Sequence, residues 1–362
     1  MDEQLSAILA EVTPRLGEWY PDRAAGPDVR VDVQLDDRRS INRVIRLRVI
    51  SDGADVASLI VKTENPDPVA PILPDERPRL MPVTDSAIRQ TLEFEALRLL
   101  ERRLEEVGDG RLRAIRALAV LDASGALVME AFAGRPLPRL LLRSTLRQQP
   151  GPARPAALAD AAGAWLRVLH DTPVGDSAPV RQGTPDELVA CFAKFGEFLA
   201  TAAPSRDLAR TLEIGRAAAA DIRELPVAIS HGDFAPRNIL VDGQGRIAVI
   251  DLLARWQAPR FEDLAAFLLA MRTSRVNATT SGLLFGRAID RLEPAFLAGY
   301  FGSDPVPIRE IRLYELLLLL DKWAARLARR AKGADGGLRV RLIDRYFDAR
   351  SRHLARLLDP GR

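Results

Sequence analysis

Residues 229–252 read ISHGDFAPRNILVDGQGRIAVIDL, and this stretch decides how the rest of the chain is understood. It holds His231, Asp233, Asn238 and Asp251 at short, fixed spacing. ILV and RIAVID are short apolar runs with the turn DGQG between them, so 239–251 reads as a β-hairpin. A hairpin brings its ends together, which places Asn238 beside Asp251, with Asp233 on the loop just before. Two oxygen ligands next to a second carboxylate form a hard-metal site with a base beside it. That is the local chemistry of phosphoryl transfer.

The rest of the composition fits a globular enzyme. The chain has 362 residues, 47% hydrophobic and 28% charged, enough for two lobes with their own cores. Its longest aliphatic run, 316–320, is far too short to span a bilayer. The N-terminus MDEQLSAILAEV is acidic and lacks a cleavage site, so no signal peptide is expected. The single Cys191 excludes an intramolecular disulfide framework and suits a reducing cytosol, and a cytoplasmic location is expected. The net charge of +3 hides an asymmetry: residues 322–362 carry +8 and the remainder −5. Only Lys62, Lys194, Lys322 and Lys332 are lysines among 52 basic residues, so a lysine inside a strand stands out.

In chain order, 4–18 reads as an amphipathic helix, and 29–35, 43–50 and 56–63 as an antiparallel meander with Lys62 near its end. Six prolines within 64–86 exclude regular structure there and indicate a long loop or flap. A helix follows over 85–107 with Leu92, Leu97 and Leu100 on its apolar stripe and Glu93 and Glu95 in the middle. Strands near 115–120 and 126–130 complete a small sheet. Beyond 131 the pattern is helical: 156–171, 185–203, 207–224, 261–272, 284–301, 308–331 and 338–358.

HGDFAPRNIL followed by VIDL resembles the catalytic loop of the aminoglycoside phosphotransferase and choline kinase-like family, whose fold is that of the protein kinases. The resemblance covers about 29–275, with its specific part in 229–263. It implies an α+β, bilobal protein-kinase-like fold: an N-terminal helix and lead-in at 1–28, an antiparallel-sheet nucleotide-binding lobe with one main helix at 29–130, and a mostly helical lobe at 131–362 carrying the catalytic loop and the acceptor site. It implies Asp233 as catalytic base, Asn238 and Asp251 as magnesium ligands, and His231 as support for the loop. Lys62, in LIVKT, resembles the strand lysine that contacts the α- and β-phosphates, and Glu93 is in register with the family's helix acid, ahead of Glu95. LVMEAFAGRPL at 127–137 resembles the linker between lobes, with adenine at the backbone of 130–132 and Glu130 beside the ribose; Glu130 and Phe132 are the candidate nucleotide contacts. His170 resembles a structural histidine near the loop. Asp263, in FEDLA, matches an acid that anchors a helix against the loop.

Arg237 has a physical case of its own, since a guanidinium there reaches either the transferring phosphate or the base; a plain salt bridge weighs equally. The turn DDRRSIN at 36–42 lacks the glycines that kinases use over the phosphates, leaving Ser40 or Asn42 to contact them. The expected activity is ATP- and magnesium-dependent phosphorylation of a hydroxyl on a small molecule, aminoglycoside-like, amino alcohol or sugar, with GTP as the other donor to test. The alternative is a catalytically weak kinase-fold protein that binds nucleotide or scaffolds a partner. A polycationic acceptor requires acids, for which Asp290, Glu293, Glu310, Glu315 and Asp321 are the candidates; Asp321 reads as a solvated carboxylate screened by Lys322 and Arg326. A monomer or homodimer is expected and no nucleic-acid partner, because the basic residues are not interleaved with stacking aromatics. The basic final helix, with Ile343, Tyr346, Phe347, Leu354, Leu357 and Leu358 at helical spacing, is read first as docking on its own lobe and only second as a membrane-surface contact.

Overall fold

The computed structural model describes residues 2–24, 28–38, 42–65, 77–80, 89–140, 154–173, 179–203, 205–252, 256–280, 282–283, 286–331 and 338–359. The chain forms two compact units: Met1–Pro74, Val83–Gly134 and Ala248–Leu253 in the first, Asp75–Pro82, Arg135–Ile247 and Ala254–Arg362 in the second.

The first unit is built on a five-stranded antiparallel sheet of strands β1 (Val29–Arg38), β2 (Asn42–Ser51), β3 (Ala54–Glu64), β5 (Ala117–Val120) and β6 (Leu127–Glu130), in the order β1-β2-β3-β6-β5. A two-residue strand, β4 (Leu112–Arg113), lies between β3 and β5 in the chain and was not expected from the sequence. The meander extends each expected strand by one to three residues at its ends. Strand alternation sorts the side chains: Ile45, Leu47, Val49, Leu59 and Val61 pack with Leu5, Ile8, Val12 and Leu16 of the helix α1 (Glu3–Trp19). Lys62, one residue after Val61, therefore stands on the opposite face. There the helix α2 (Arg89–Val107) buries Glu93, Leu97, Leu100 and Leu104, which share one helical stripe. Residues 85–88, where the sequence pattern begins this helix, lie outside the described set.

Buried Arg43 ties the first unit's N-terminus to the sheet. Its guanidinium donates to both oxygens of Asp36 at 2.8 and 2.6 Å, to Asp2 at 2.9 Å and to Gln4 at 2.8 Å. The bidentate fork to Asp36 is the geometry that a lysine does not reproduce.

The second unit is mostly helical: α3 (Pro155–His170), α4 (Pro185–Ala202), α5 (Arg206–Ala220), α6 (Phe261–Arg272), α7 (Arg275–Thr279), α8 (Gly286–Phe301), α9 (Ile308–Ala331) and α10 (Leu338–Leu358). The sequence-derived spans match those of α6, α9 and α10 and differ by a few residues elsewhere. Helix α4 opens on a capping box, in which Thr184 accepts from the Glu187 amide and the Glu187 carboxylate accepts from the Thr184 amide. Helices α3 and α8 approach closely through Gly163 and Gly299: a Cβ on either would collide with the backbone of the facing helix. Two short strands, β8 (Val227–Ile229) and β11 (Gln257–Pro259), pair antiparallel and bracket the loop between them. Another pair joins β7 (Arg135–Pro136) to β9 (Ile239–Val241). After β9 the chain turns at 242–245 and enters β10 (Ile247–Val249). Asp242 accepts from the Gln244 and Arg246 amides, and Gly245 takes φ +78°.

Of the proline-rich 64–86 loop, residues 77–80 are described and belong to the second unit. Leu80 is buried, and its carbonyl accepts from Arg181 at 2.9 Å and Gln182 at 3.0 Å. Arg77 pairs with Asp321 at 3.2 Å, and Asp321 also accepts from the Leu80 amide. This corrects the reading of Asp321 as a solvated carboxylate. Its partner is Arg77, Arg326 pairs instead with Asp344, and burial pushes the Asp321 carboxyl up. The basic helix α10 turns Val340, Phe347, Leu354, Ala355 and Leu358 inward, while Tyr346 donates to the Arg272 carbonyl at 2.9 Å, so its apolar stripe docks on its own unit. No described helix is long and apolar enough to cross a membrane.

Candidate active site

In the first unit, the sheet and α2 bring Lys62 and Glu93 together. Lys62 lies on β3, inside the sheet between β2 and β6, opposite Val44 and Leu127. Its ammonium donates to Glu93 at 2.6 Å and lies 2.6 Å from an oxygen of Asp251. Burial works to lower the Lys62 pKa, but the two carboxylates overcome it and leave it raised. Of the two acids considered for Lys62, Glu93 is the partner, while Glu95 is exposed. Asp251 holds φ +62°, a left-handed backbone that costs an L-residue energy and marks a position over-determined by its surroundings.

In the second unit, the loop after β8 presents Asp233 to solvent from a rigid base. Gly232 takes φ +79°, which favours glycine at this position. Its amide donates to Asp263 at 3.1 Å and to Ser230 at 3.0 Å, and the His231 amide donates to Asp263 at 2.7 Å. Asp263 sits in the first turn of α6, yet its carboxylate does not cap that helix; it accepts from the loop's backbone. His170, at the end of α3, meets the same carboxylate through Nε2 at 3.1 Å, and its Nδ1 lies 2.7 Å from the Tyr300 hydroxyl of α8. Burial alone would raise the Asp263 pKa, but the hydrogen bond from His170 leads the interactions that bring it below the usual value. On the other side of Asp233, Phe234 is fully buried against Trp165, Phe267 and Phe296, with ring centroids 5.6–6.3 Å apart. His231 is buried beside Trp165 and Phe234, and its Nδ1 accepts from the Asp233 amide at 3.3 Å. One neighbour of Asp233 is therefore held by Asp263 and the other by an aromatic cluster.

The Asp233 carboxylate itself stays half exposed. Arg237, one turn on, lies 2.5 Å from both of its oxygens, and the Asn238 amide donates to one of them at 3.0 Å and to the Asp233 carbonyl at 2.9 Å. The turn Pro236–Asn238 produces this spacing, closed by the Asn238 amide on the Ala235 carbonyl. Lys322 of α9 lies within electrostatic reach of both Asp233 and Arg237, and burial, then Arg237, hold its ammonium below the usual lysine value.

The nucleotide candidates of the linker lie in the first unit. Glu130 accepts from the Tyr20 hydroxyl and from Arg116, each at 2.9 Å. The Ala131 amide donates to the Ser58 carbonyl, and the Phe132 carbonyl accepts from Gly134. In the 36–42 turn, Ser40 lies outside the described residues, and the Asn42 side chain accepts from Arg89 at 3.0 Å. The Asp251 carboxylate of the first unit and the Asn238 amide oxygen of the second are each a hard oxygen donor of the kind that magnesium takes. Among the described residues no group of three or more His, Cys, Asp or Glu is placed to hold a metal ion.

Residues 46–311 match the model of the phosphotransferase enzyme family. The chain belongs to that family. No curated protein matches the phosphotransferase sequence significantly. Among solved structures, its fold is similar to a putative aminoglycoside phosphotransferase from Ralstonia eutropha, with 13% identity, 98% of each chain covered and a TM-score of 0.61. It is also similar to a choline/ethanolamine kinase family protein from Mesorhizobium loti, with 16% identity, coverage of 96% of this chain and 99% of that one, and a TM-score of 0.54. A spectinomycin phosphotransferase in complex with ADP and spectinomycin shares 14% identity over 95% of this chain and 98% of its own, with a TM-score of 0.51. At these identities the likeness establishes the α+β, protein-kinase-like fold of the phosphotransferase.

Two residues of this region escaped sequence reading: Phe234, which anchors the loop, and Lys322, which adjoins Asp233. The only signal for Lys322 was the scarcity of lysine in the chain. Asp263 was expected to anchor a helix against the loop; what the sequence did not show is that it does so by accepting from the loop's backbone amides.

Proposed function

We propose that this phosphotransferase moves the γ-phosphoryl group of ATP, with magnesium, to a hydroxyl of a small molecule. The observation that carries the reading is the Lys62 ammonium held at 2.6 Å from both Glu93 and Asp251 in a chain of this family. Glu93 orients Lys62 toward the α- and β-phosphates, and the backbone of 130–132 receives the adenine, with Glu130 and Phe132 as its side-chain neighbours. Asn238 and Asp251 hold the metal. Magnesium, when bound, supplies charge neutralisation on the phosphate oxygens. Asp233 takes the acceptor's hydroxyl proton as the oxygen bonds to the γ-phosphorus and the bond to the ADP oxygen breaks. Arg237 swings from Asp233 toward the transferring phosphoryl group, which frees the base when substrate arrives. Cys191 as the single cysteine supports a cytoplasmic location.

The test is a transfer screen with labelled ATP and magnesium over pooled aminoglycosides, amino alcohols, sugars and sugar acids, comparing wild type with Asp233→Asn. General-base loss is expected to lower transfer by about 10²-fold or more. Equal turnover by both proteins would instead support a nucleotide-binding protein without this chemistry. Repeating the screen with labelled GTP decides the donor.

A further inference from the structure

Resting on that reading of Asp233, we infer that the acceptor carries an anionic group, a carboxylate or a phosphate, and that Lys322 holds it. Lys322 is half-buried on α9, and no described residue makes a hydrogen bond or ion pair with it. Its charged neighbours are Arg237, Asp233 and Asp321. Each of the two carboxylates is already engaged by an arginine, Asp233 by Arg237 and Asp321 by Arg77. Lys322 is thus the surplus positive charge beside the base. A charge withdrawn from water without a partner is costly, and a bound anion removes that cost. The ammonium's depressed pKa has the same origin and is reversed by an anion in contact.

The acids available to a polycationic acceptor on these helices point the same way. Arg272 pairs with Asp290 and Glu293, and Arg312 with Glu293 and Glu315. Arg350 adds a further contact to buried Glu315 at 3.4 Å. Of the five acids that the sequence offered for binding ammonium groups, four are neutralised by arginine, and Glu310 alone has no such pair among the described residues. Each of these four acids is held by arginine, whereas the only described lysine with carboxylate partners is Lys62, at Glu93 and Asp251. A lysine beside Asp233 is a compact point charge that meets a carboxylate or phosphate from many directions, which suits a ligand more than a fixed internal fork.

Specificity is read by calorimetric titration of the full chain with ADP and magnesium present. The probes are glucuronate and glucose 6-phosphate, with glucose and glucosamine as neutral and cationic counterparts, and glycerate against glycerol and serinol. At least one acidic probe is expected to bind more tightly than its neutral and amine counterparts. Lys322→Gln is expected to weaken that probe by about tenfold or more, the value of a charge-assisted hydrogen bond. Lys322→Arg retains the preference for the acidic form. Which acidic probe responds separates a carboxylate from a phosphate. Thermal melting of unliganded Lys322→Gln is expected to be unchanged or higher, since an unpaired half-buried charge is removed; a lower melting temperature marks Lys322 as structural and overturns the inference. Acidic probes that bind no better than their counterparts, or equally well to Lys322→Gln, overturn it also. Acid binding that depends on Lys322 without transfer above the Asp233→Asn level would sink the phosphotransfer reading and leave the anion site standing.

Discussion

Replacing Asp263 with asparagine tests whether this buried carboxylate fixes the loop that presents Asp233. The carboxylate receives the His231 amide at 2.7 Å, the Gly232 amide at 3.1 Å, Ser230 at 3.4 Å and His170 at 3.1 Å. Asparagine has one acceptor oxygen, so its NH₂ must face donors wherever it points. Directed at Oδ2 it opposes the His231 amide and His170. Directed at Oδ1 it opposes the Gly232 amide, while Ser230 rotates to accept. The second pose loses one bond outright and the charge assistance of two others. A hydrogen bond to a charged group contributes about 1.5–3 kcal/mol and a buried donor left unsatisfied costs about 1–3 kcal/mol, so a loss of about 2–4 kcal/mol follows. Urea unfolding followed by tryptophan fluorescence reads it, because Trp165, Trp256 and Trp323 all lie in the second unit. The sign with pH is fixed by the lowered pKa of Asp263. Its stabilising contribution is fully present above the unfolded carboxylate value of about 3.9 and is lost as pH falls through the still lower folded value. The difference between wild type and Asp263→Asn should therefore hold from neutral pH to about 4 and shrink below it. A difference under about 0.5 kcal/mol at neutral pH, the ordinary range for an uninvolved surface change, would refute the role given to this residue.

Arg237→Ala is expected to slow turnover more than it weakens nucleotide binding; equal effects on both, by stopped-flow and titration, would assign it a structural role. The same variant should leave the melting temperature nearly unchanged, since a half-exposed ion pair contributes only about 0.2–1 kcal/mol. Gly299→Ala forces a methyl group into the backbone of α3 and is expected to cost about 1–3 kcal/mol in urea unfolding. An unperturbed Gly299→Ala protein would contradict the close helix approach that brings Tyr300 to His170.

Much of this arrangement was legible because it is local. The meander and the placement of Lys62 on its third strand follow from alternation, and the spacing from Asp233 to Asn238 stands in the sequence itself. Glu93 could be preferred to Glu95 because the resemblance put it in register with the family's helix acid, with Leu97 and Leu100 following at the family's spacing. What stayed hidden depends on contacts between distant residues. Asp263 was placed near the loop by family position, but nothing in FEDLA indicates that its oxygens face the amides of 231 and 232. Asp321 seemed free because its partner, Arg77, is 244 residues away in the chain, inside a loop whose prolines carry no contact information. The strands β8 and β11 have three residues each, too few for a periodic signal. Glu293 and Glu315 looked available to a cationic ligand for the same reason: their arginine partners on neighbouring helix turns and on other helices become visible only once the helices are packed.

The central claim is that Asp233 serves as the base in transfer to a hydroxyl, and single-turnover transfer from ATP measured beside nucleotide affinity tests it most directly. Asp233→Asn is expected to bind nucleotide within about threefold of wild type while transfer falls by about 10²-fold or more. Transfer that survives in Asp233→Asn at the wild-type rate, with nucleotide still bound, would contradict the account.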